Sequence, residues 1–180
     1  DCFQMFSSGD WVAVLTRGHG YVGRAQTTLN RVGRTPIPAA WHGRLLEQSP
    51  AHARDLVVGL APDPSRSPHL LLMAPGDIAH ALEQLESLPV GHLAHRLWRR
   101  FNRNAVQVAR DAQDRIVIPK SLREAAGLGV GELVWLGDRG KLRLFGAEAW
   151  ALFEAVEDGE LGVPSDADLA AERGRLGSLL

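Results

Sequence analysis

Two short stretches of the chain place an arginine four residues after a side chain that can cap a turn. In one stretch these residues are Asp111 and Arg115, and in the other they are Asn30 and Arg34. A guanidinium offers a planar fork of donors that suits phosphate oxygens and the O6/N7 edge of guanine. Arginines at such turns are able to contact nucleic acid, but the spacing alone does not assign them that role. The competing interpretation is a salt bridge across the turn, and it applies more to Arg115, which has an acidic neighbour.

Other basic side chains near the two turns are further candidates for DNA contact. Arg31 lies beside Arg34, and Arg24, Lys120 and Arg123 are candidate phosphate contacts, although a solvated position explains each of these three equally well. Because Asn30 is neutral, Arg34 is the arginine that we expect to contact DNA most directly.

A second arginine cluster lies in a predicted amphipathic helix at residues 91–103. Its members are Arg96, Arg99, Arg100 and Arg103. This face could contact DNA or line the junction between two halves of the chain, and we favour the junction.

No spacing of side chains indicates catalysis. His92 and His95 are three residues apart on the same helix, but no third metal ligand is evident, so solvated helix histidines are the simpler interpretation. Cys2 is the only cysteine, which excludes an internal disulfide and a cysteine-based metal site and fits a reducing cytoplasm. We expect no catalytic residue, no metal, no cofactor and no small-molecule substrate.

The residues after Asp111 predict a turn and a short strand. The Asp111 carboxylate can accept hydrogen bonds from nearby amides in an Asx turn, and Asp114 tolerates left-handed backbone geometry. Residues 116–118 are β-branched and favour a packed strand. Pro119 lacks an amide donor and ends the strand.

A short helix is predicted to follow. Ser121 and Glu124 have the spacing of a capping box, from which we expect that Ser121→Ala costs about 1 kcal/mol. Gly127 is placed to end this helix in the left-handed conformation.

This turn, strand, proline and helix occur twice. Residues 29–41 align with 110–122 at a constant shift of 81, which places Asn30 on Asp111 and Arg34 on Arg115. Residues 70–86 align with 142–158 at a shift of 72, so the first copy is longer by nine residues between the two blocks. An internal duplication therefore organises most of the chain.

Composition and periodicity predict a strand-rich α+β protein. Hydrophobic residues make up 45% and charged residues 23%, as in ordinary globular proteins. Strands are expected at 11–15, 21–29, 56–60, 69–73, 105–109, 132–136 and 141–145, and helices at 39–48, 77–88, 91–103 and 147–156. No run approaches the ~20 apolar residues of a membrane span, and residues 1–10 lack the layout of a signal peptide, so we expect no membrane partner.

The formal net charge of −1 is unevenly distributed. Residues 1–147 carry a balance of +5 and residues 148–180 a balance of −6. A neutral total is weak evidence against nucleic-acid binding, because such domains are often clearly basic. The acidic end is expected to be a mobile tail.

These motifs resemble the MraZ family, a tandem fusion of two domains of the AbrB/MazE swapped-hairpin class. The resemblance runs from about residue 21 to residue 157 and is closest in the second copy, through Asp111 and Arg115, Ile118-Pro119 and the segment 122–128. Two positions depart from the family pattern. Asn30 replaces the usual Asp, and Asp114 stands where the family usually has Gly.

The resemblance implies two tandem AbrB/MraZ-like swapped-hairpin (double-split barrel) repeats with short flanking helices. The expected organisation is a first repeat at 10–90, a connecting helix at 91–104, a second repeat at 105–158 and a flexible acidic tail at 159–180.

The function that the resemblance implies is a cytoplasmic, nucleoid-associated transcriptional regulator. It would form a homo-oligomeric ring and bind direct repeats in double-stranded DNA upstream of cell-division and cell-wall genes. The DNA-binding set that goes with this function, with the turn residues included, is Arg34, Arg31, Asn30, Arg115, Asp111, Arg24, Lys120 and Arg123. Two alternatives stay open: an antitoxin-like protein that binds a protein partner through its C-terminal tail, and an oligomeric scaffold that has lost DNA binding.

Overall fold

The computed structural model describes residues 20–49, 54–62 and 67–161. The strands are β1 (Arg24–Leu29), β2 (Arg34–Pro36), β3 (Asp55–Leu60), β4 (Leu70–Met73), β5 (Val106–Ala109), β6 (Arg115–Val117), β7 (Gly131–Asp138) and β8 (Lys141–Gly146). The helices are a 3₁₀ turn (Ala39–Trp41), α1 (His42–Glu47), α2 (Pro75–Glu86), α3 (Leu93–Asn104), α4 (Lys120–Ala125) and α5 (Ala147–Leu161).

Six strands form one antiparallel sheet in the order β1-β7-β8-β4-β3-β5, and β2 pairs with β6 in a separate two-stranded ribbon. The first strand of each copy pairs with the hairpin of the other copy. Arg24 of β1 lies opposite Leu136 of β7, and Val108 of β5 lies opposite Leu56 of β3. The predicted strand-rich α+β fold class is confirmed, and its two copies are interleaved.

The pairing register shows an approximate twofold axis through the molecule. Thr35 lies opposite Ile116 in the ribbon, and these residues differ by the repeat shift of 81. Leu71 lies opposite Arg143 between β4 and β8, and these differ by the later shift of 72. In both places a residue faces its own counterpart from the other copy, as residues on a twofold axis must.

The ribbon and helices α2 and α3 cover opposite faces of the six-stranded sheet. Because side chains alternate along a strand, Leu70 and Leu72 share one core with Ile116 of the ribbon, whereas Leu71 and Met73 point to the other face. That second face packs under α2 and α3, and its β7–β8 part packs under α5.

The structure corrects one local prediction and leaves others outside its range. Helix α4 begins at Lys120 directly after Pro119, with no side-chain cap, so Ser121 is already inside the first turn and its hydroxyl does not cap. The predicted capping box at Ser121 and Glu124 is therefore wrong, and the cost predicted for Ser121→Ala loses its structural basis. The expected strand at 11–15 and the tail beyond residue 161 lie outside the described residues. No helix in the described ranges is long and apolar enough to cross a membrane.

Candidate nucleic-acid interface

The second turn is closed by the Asp111 side chain. Its Oδ1 atom accepts hydrogen bonds from the amides of Gln113 and Arg115, both at 2.9 Å. The hydrogen bond from the Arg115 amide, the largest effect, lowers the pKa of the Asp111 carboxyl below its usual value. Asp114 has a φ of +52°, so the predicted Asx turn with a left-handed residue is present.

The first turn has the same geometry without the carboxylate. Asn30 Oδ1 accepts from the amides of Val32 at 3.1 Å and Arg34 at 2.8 Å. Gly33 has a φ of +81° at the position of Asp114. A carboxamide therefore builds this turn as a carboxylate builds the other, and the turns differ in charge. Residues 30–34 include two arginines and no acid, whereas residues 111–115 include two aspartates and one arginine.

The two turn arginines consequently have different surroundings. Arg115 donates from Nε to Asp111 Oδ2 at 2.8 Å and from Nη2 to Gln113 Oε1 at 2.8 Å, so its guanidinium is held within its own turn. The Arg34 side chain is half-buried and makes no hydrogen bond or ion pair with any residue in the described part of the chain. Arg31 is exposed and equally unpaired within those ranges.

The ribbon presents both arginines on its outer face. Thr35 and Ile116 are 0% and 1% exposed and point inward, so their neighbours Arg34 and Arg115 point outward by strand alternation. Arg34 pairs with Val117 at one end of the ribbon, and Arg115 pairs with Pro36 at the other. From the strand rise and spacing, their Cα atoms are about 8 Å apart.

Arg123 braces the first turn from the other copy. Its Nε donates to the Ile118 carbonyl at 3.1 Å, and a Cβ added at Gly33 would lie 2.8 Å from that Nε. The Ile118 amide in turn donates to the Gly33 carbonyl at 2.9 Å. Arg123 is therefore held against the backbone of the first turn through its Nε atom.

His42 makes the equivalent brace at the second turn. Its Nε2 lies 2.8 Å from the Ile37 carbonyl, and its Nδ1 lies 3.3 Å from Asp114 Oδ2. The Ile37 amide donates to the Asp114 carbonyl at 2.9 Å. We did not predict this role from the sequence. The shift of 81 places His42 on Arg123, so the repeat relates the two braces once one of them is known.

Arg24 and Lys120 complete the predicted set and lie elsewhere. Arg24 pairs with Glu154 at 3.0 Å and stacks over the Trp150 ring at 5.6 Å, on the face of the sheet that α5 covers. Lys120 lies 3.6 Å from Glu124 and is 80% exposed, so this pair is weak and Lys120 stays free to move. The structure brings Arg31, Arg34, Arg115 and Arg123 together around the ribbon and separates Arg24 from them.

Helix α3 does not have the surroundings that we expected. Its four arginines do not line a junction between the copies. Their side chains are exposed and make no hydrogen bond or ion pair with the described residues of either copy; the four are Arg96, Arg99, Arg100 and Arg103. His92 caps this helix, because its Nδ1 accepts from the Ala94 amide at 3.2 Å. Within the described ranges, no group of three or more His, Cys, Asp or Glu side chains could hold a metal ion.

The chain is similar in sequence to known proteins of one family. A family model described as "MraZ protein, putative antitoxin-like" matches residues 101–162. The transcriptional regulator MraZ of Nitrosospira multiformis is 34% identical over 132 residues, which cover 72% of this chain and 84% of that protein. The transcriptional regulator MraZ of Lachnoclostridium phytofermentans is 38% identical over 71 residues, which cover 39% of this chain and half of that protein.

One solved structure is also similar in part. The solution structure of PHS018 from Pyrococcus horikoshii aligns with 69% of this chain and 90% of its own at 17% identity. Its TM-score is 0.31, and at that value the likeness carries no conclusion.

Proposed function

Because this chain belongs to the MraZ family, we propose that it regulates transcription by binding double-stranded DNA through the outer face of the β2–β6 ribbon. A two-stranded ribbon fits the major groove of B-DNA, which is about 12 Å wide. The observation that supports this proposal best is the unpaired Arg34 guanidinium on that face, with Arg31 beside it. Both arginines can donate to guanine or to phosphate without first breaking an ion pair.

The two turns have unequal roles in this proposal. Arg34 reads or clamps the DNA, while Arg115 gives up its contacts with Asp111 and Gln113 only at a cost. One bidentate arginine supplies about 1–3 kcal/mol of discrimination, which is too little for a regulator acting alone. Assembly into a ring that repeats the first turn would raise avidity by roughly 10²–10⁴.

The remaining parts of the proposal rest on the family resemblance. The ring would bind direct repeats upstream of cell-division and cell-wall genes, in the cytoplasm and at the nucleoid. The two curated relatives are named as transcriptional regulators, and neither has the name of an enzyme.

Replacement of Arg34 by alanine tests the site. We expect Arg34→Ala to weaken binding to the DNA upstream of the protein's own gene by roughly 5- to 150-fold, the equivalent of about 1–3 kcal/mol. Fluorescence anisotropy at two salt concentrations measures the affinity, and light scattering checks that the assembly is unchanged. Unchanged affinity would remove Arg34 from the site, and binding that does not respond to salt would favour a scaffold that has lost DNA contact.

An isosteric exchange between the turns provides the matched variants. Asn30→Asp keeps the acceptor for the Val32 and Arg34 amides but places a carboxylate beside Arg34, so DNA binding should weaken. Asp111→Asn keeps its turn and removes the ion pair with Arg115, which then has only its contact with Gln113, so binding should strengthen. Glu86→Gln removes one negative charge on the exposed surface of α2, the same change in net charge as Asp111→Asn, and is the control for that variant.

A further inference from the structure

Helix α3 carries four arginines on one face. Arg96, Arg99, Arg100 and Arg103 follow the i, i+3, i+4, i+7 spacing that places side chains on the same side of a helix. All four are exposed, and none has a hydrogen-bond or ion-pair partner in the described ranges. We call this surface the α3 arginine face.

The orientation of this face is fixed by the opposite side of the helix. Phe101 is 3% exposed and shares a core cluster with Leu71 and Met73, while Trp98 packs against the same cluster. An added Cβ at Gly59 would lie 2.7 Å from the Phe101 ring, so the helix is seated closely on β3. The arginines are therefore held outward by the packing of α3.

The absence of partners sets the α3 arginine face apart from most other arginines. Arg24, Arg115 and Arg143 each have a carboxylate partner. Within the described ranges, the unpaired arginines are Arg31, Arg34, Arg54, Arg96, Arg99, Arg100, Arg103 and Arg139. Four of these eight arginines lie within about 10 Å along the axis of α3, where their like charges repel one another. Such a concentration indicates an external anion.

We propose that the α3 arginine face binds the phosphate backbone of a second DNA duplex, without reading its sequence, while the ribbon holds the first. The two surfaces lie on opposite faces of the six-stranded sheet, since Leu72 points to the ribbon core and Leu71 to the α3 core. A straight duplex on the ribbon cannot reach α3 of the same subunit. The identity of the anion as DNA rests on the proposed function.

The chemistry of α3 favours a duplex over a membrane surface. A membrane-bound amphipathic helix inserts its apolar side, and that side of α3 is packed on the sheet. Duplex DNA carries one negative charge per ~1.7 Å of axis, a density that a row of guanidinium groups can match. Phosphate oxygens also accept the paired hydrogen bonds that arginine donates.

A pair of charge-matched variants tests the surface directly. Arg99→Gln/Arg103→Gln removes two charges from the α3 arginine face, and Arg54→Gln/Arg139→Gln removes two from elsewhere. The probe is a fluorescent duplex that lacks the upstream sequence, titrated at several salt concentrations. We expect the first variant to reduce the slope of log K against log [salt] by about 1.8, at about 0.9 per phosphate contact, and the control to keep the parent slope. Equal slopes in all three proteins would overturn the proposal.

A capture assay separates this proposal from the proposed function. Upstream DNA is immobilised and loaded with protein, and capture of a labelled second duplex is measured. Arg99→Gln/Arg103→Gln should load normally and capture several-fold less, whereas Arg34→Ala should load poorly. Failure of the parent protein to load would contradict the proposed function. If the α3 variant loads normally and its capture is undiminished, only this inference is contradicted. The same holds if the α3 variant loses binding to phosphatidylserine vesicles while its duplex capture is unchanged.

Discussion

Asp77 is a carboxyl group that the fold buries beside Tyr21 and Arg44. Its side chain is 2% exposed, and it accepts hydrogen bonds from the Tyr21 hydroxyl at 2.9 Å and from Arg44 at 3.3 Å. Burial, the largest effect, raises the pKa of Asp77 above its usual value of 3.8, and burial also raises the pKa of the Tyr21 hydroxyl. The folded protein therefore holds the Asp77 proton more tightly than the unfolded chain does.

This residue makes stability depend on pH in a defined direction. Between pH 3.8 and the raised pKa, the folded state binds more protons than the unfolded state, so the contribution of Asp77 to stability falls as pH rises. Asp77→Asn removes that dependence. Urea unfolding across this window gives the unfolding free energy of the parent protein and of the variant. The value for the parent minus that for the variant should fall with rising pH and level off above the raised pKa. A difference that stays constant with pH would show that Asp77 has an ordinary pKa.

At the scale of single residues, the sequence predicted contacts within a turn and missed contacts between turns. The Asp111 Asx turn and the pairing of Arg115 with Asp111 follow from residues four apart. His42 reaches Asp114 only because β2 pairs with β6, which brings residues 72 apart in the chain together. Nothing in the local sequence of either residue specifies that pairing.

The docking of α3 depends on a glycine in the strand beneath it. An added Cβ at Gly59 would lie 2.7 Å from the Phe101 ring and 3.3 Å from the Ala105 Cα, so neither neighbour can move easily. We expect Gly59→Ala to destabilise the protein by about 1–3 kcal/mol and to increase hydrogen exchange in α3.

Gly43 in α1 supplies the matched control for this substitution. An added Cβ there meets nothing within 4 Å, so Gly43→Ala should stabilise the helix by roughly 0.5–1 kcal/mol. Thermal melting compares the two variants. Equal melting temperatures would mean that α3 is not seated through the space above Gly59.

At the scale of elements, most strands and helices were predicted to within a few residues, and the errors have local causes. Pro119 has φ −55° and ψ 143°, and the chain turns into α4 immediately after it, two positions earlier than the Ser121 pattern indicated. The strand expected at 132–136 continues to Asp138, because Arg139 adopts a φ of +55° and shortens the connection to β8. Backbone geometry available to a few residues thus decided these boundaries.

At the scale of the whole molecule, the interleaved sheet couples the two copies. Among the described residues, β1 pairs only with β7 and β5 pairs only with β3, so each copy completes the sheet of the other. The repeat itself was visible in the sequence. The exchange of strands between copies was predicted only from the family resemblance, because the side-chain pattern of a strand does not specify which strand it pairs with.

Separation of the copies tests this coupling. We expect fragments 1–90 and 91–180 to lack a cooperative melting transition when each is alone, because each would leave a paired strand without its neighbour. Mixed in equal amounts, they should recover the circular dichroism and cooperative melting of the intact chain. A fragment that melts cooperatively alone would show that its copy is an independent domain.

The pairing of β1 with β7 also has a consequence for synthesis on the ribosome. Arg24 leaves the exit tunnel about 110 residues before Leu136, its partner. At a synthesis rate of about 5–20 residues per second, β1 is therefore outside the tunnel for roughly 5–20 s before β7 emerges to pair with it. A transcript truncated before β7 would yield a product whose first strand never finds a partner, and cellular proteases should remove such a product faster than the finished chain.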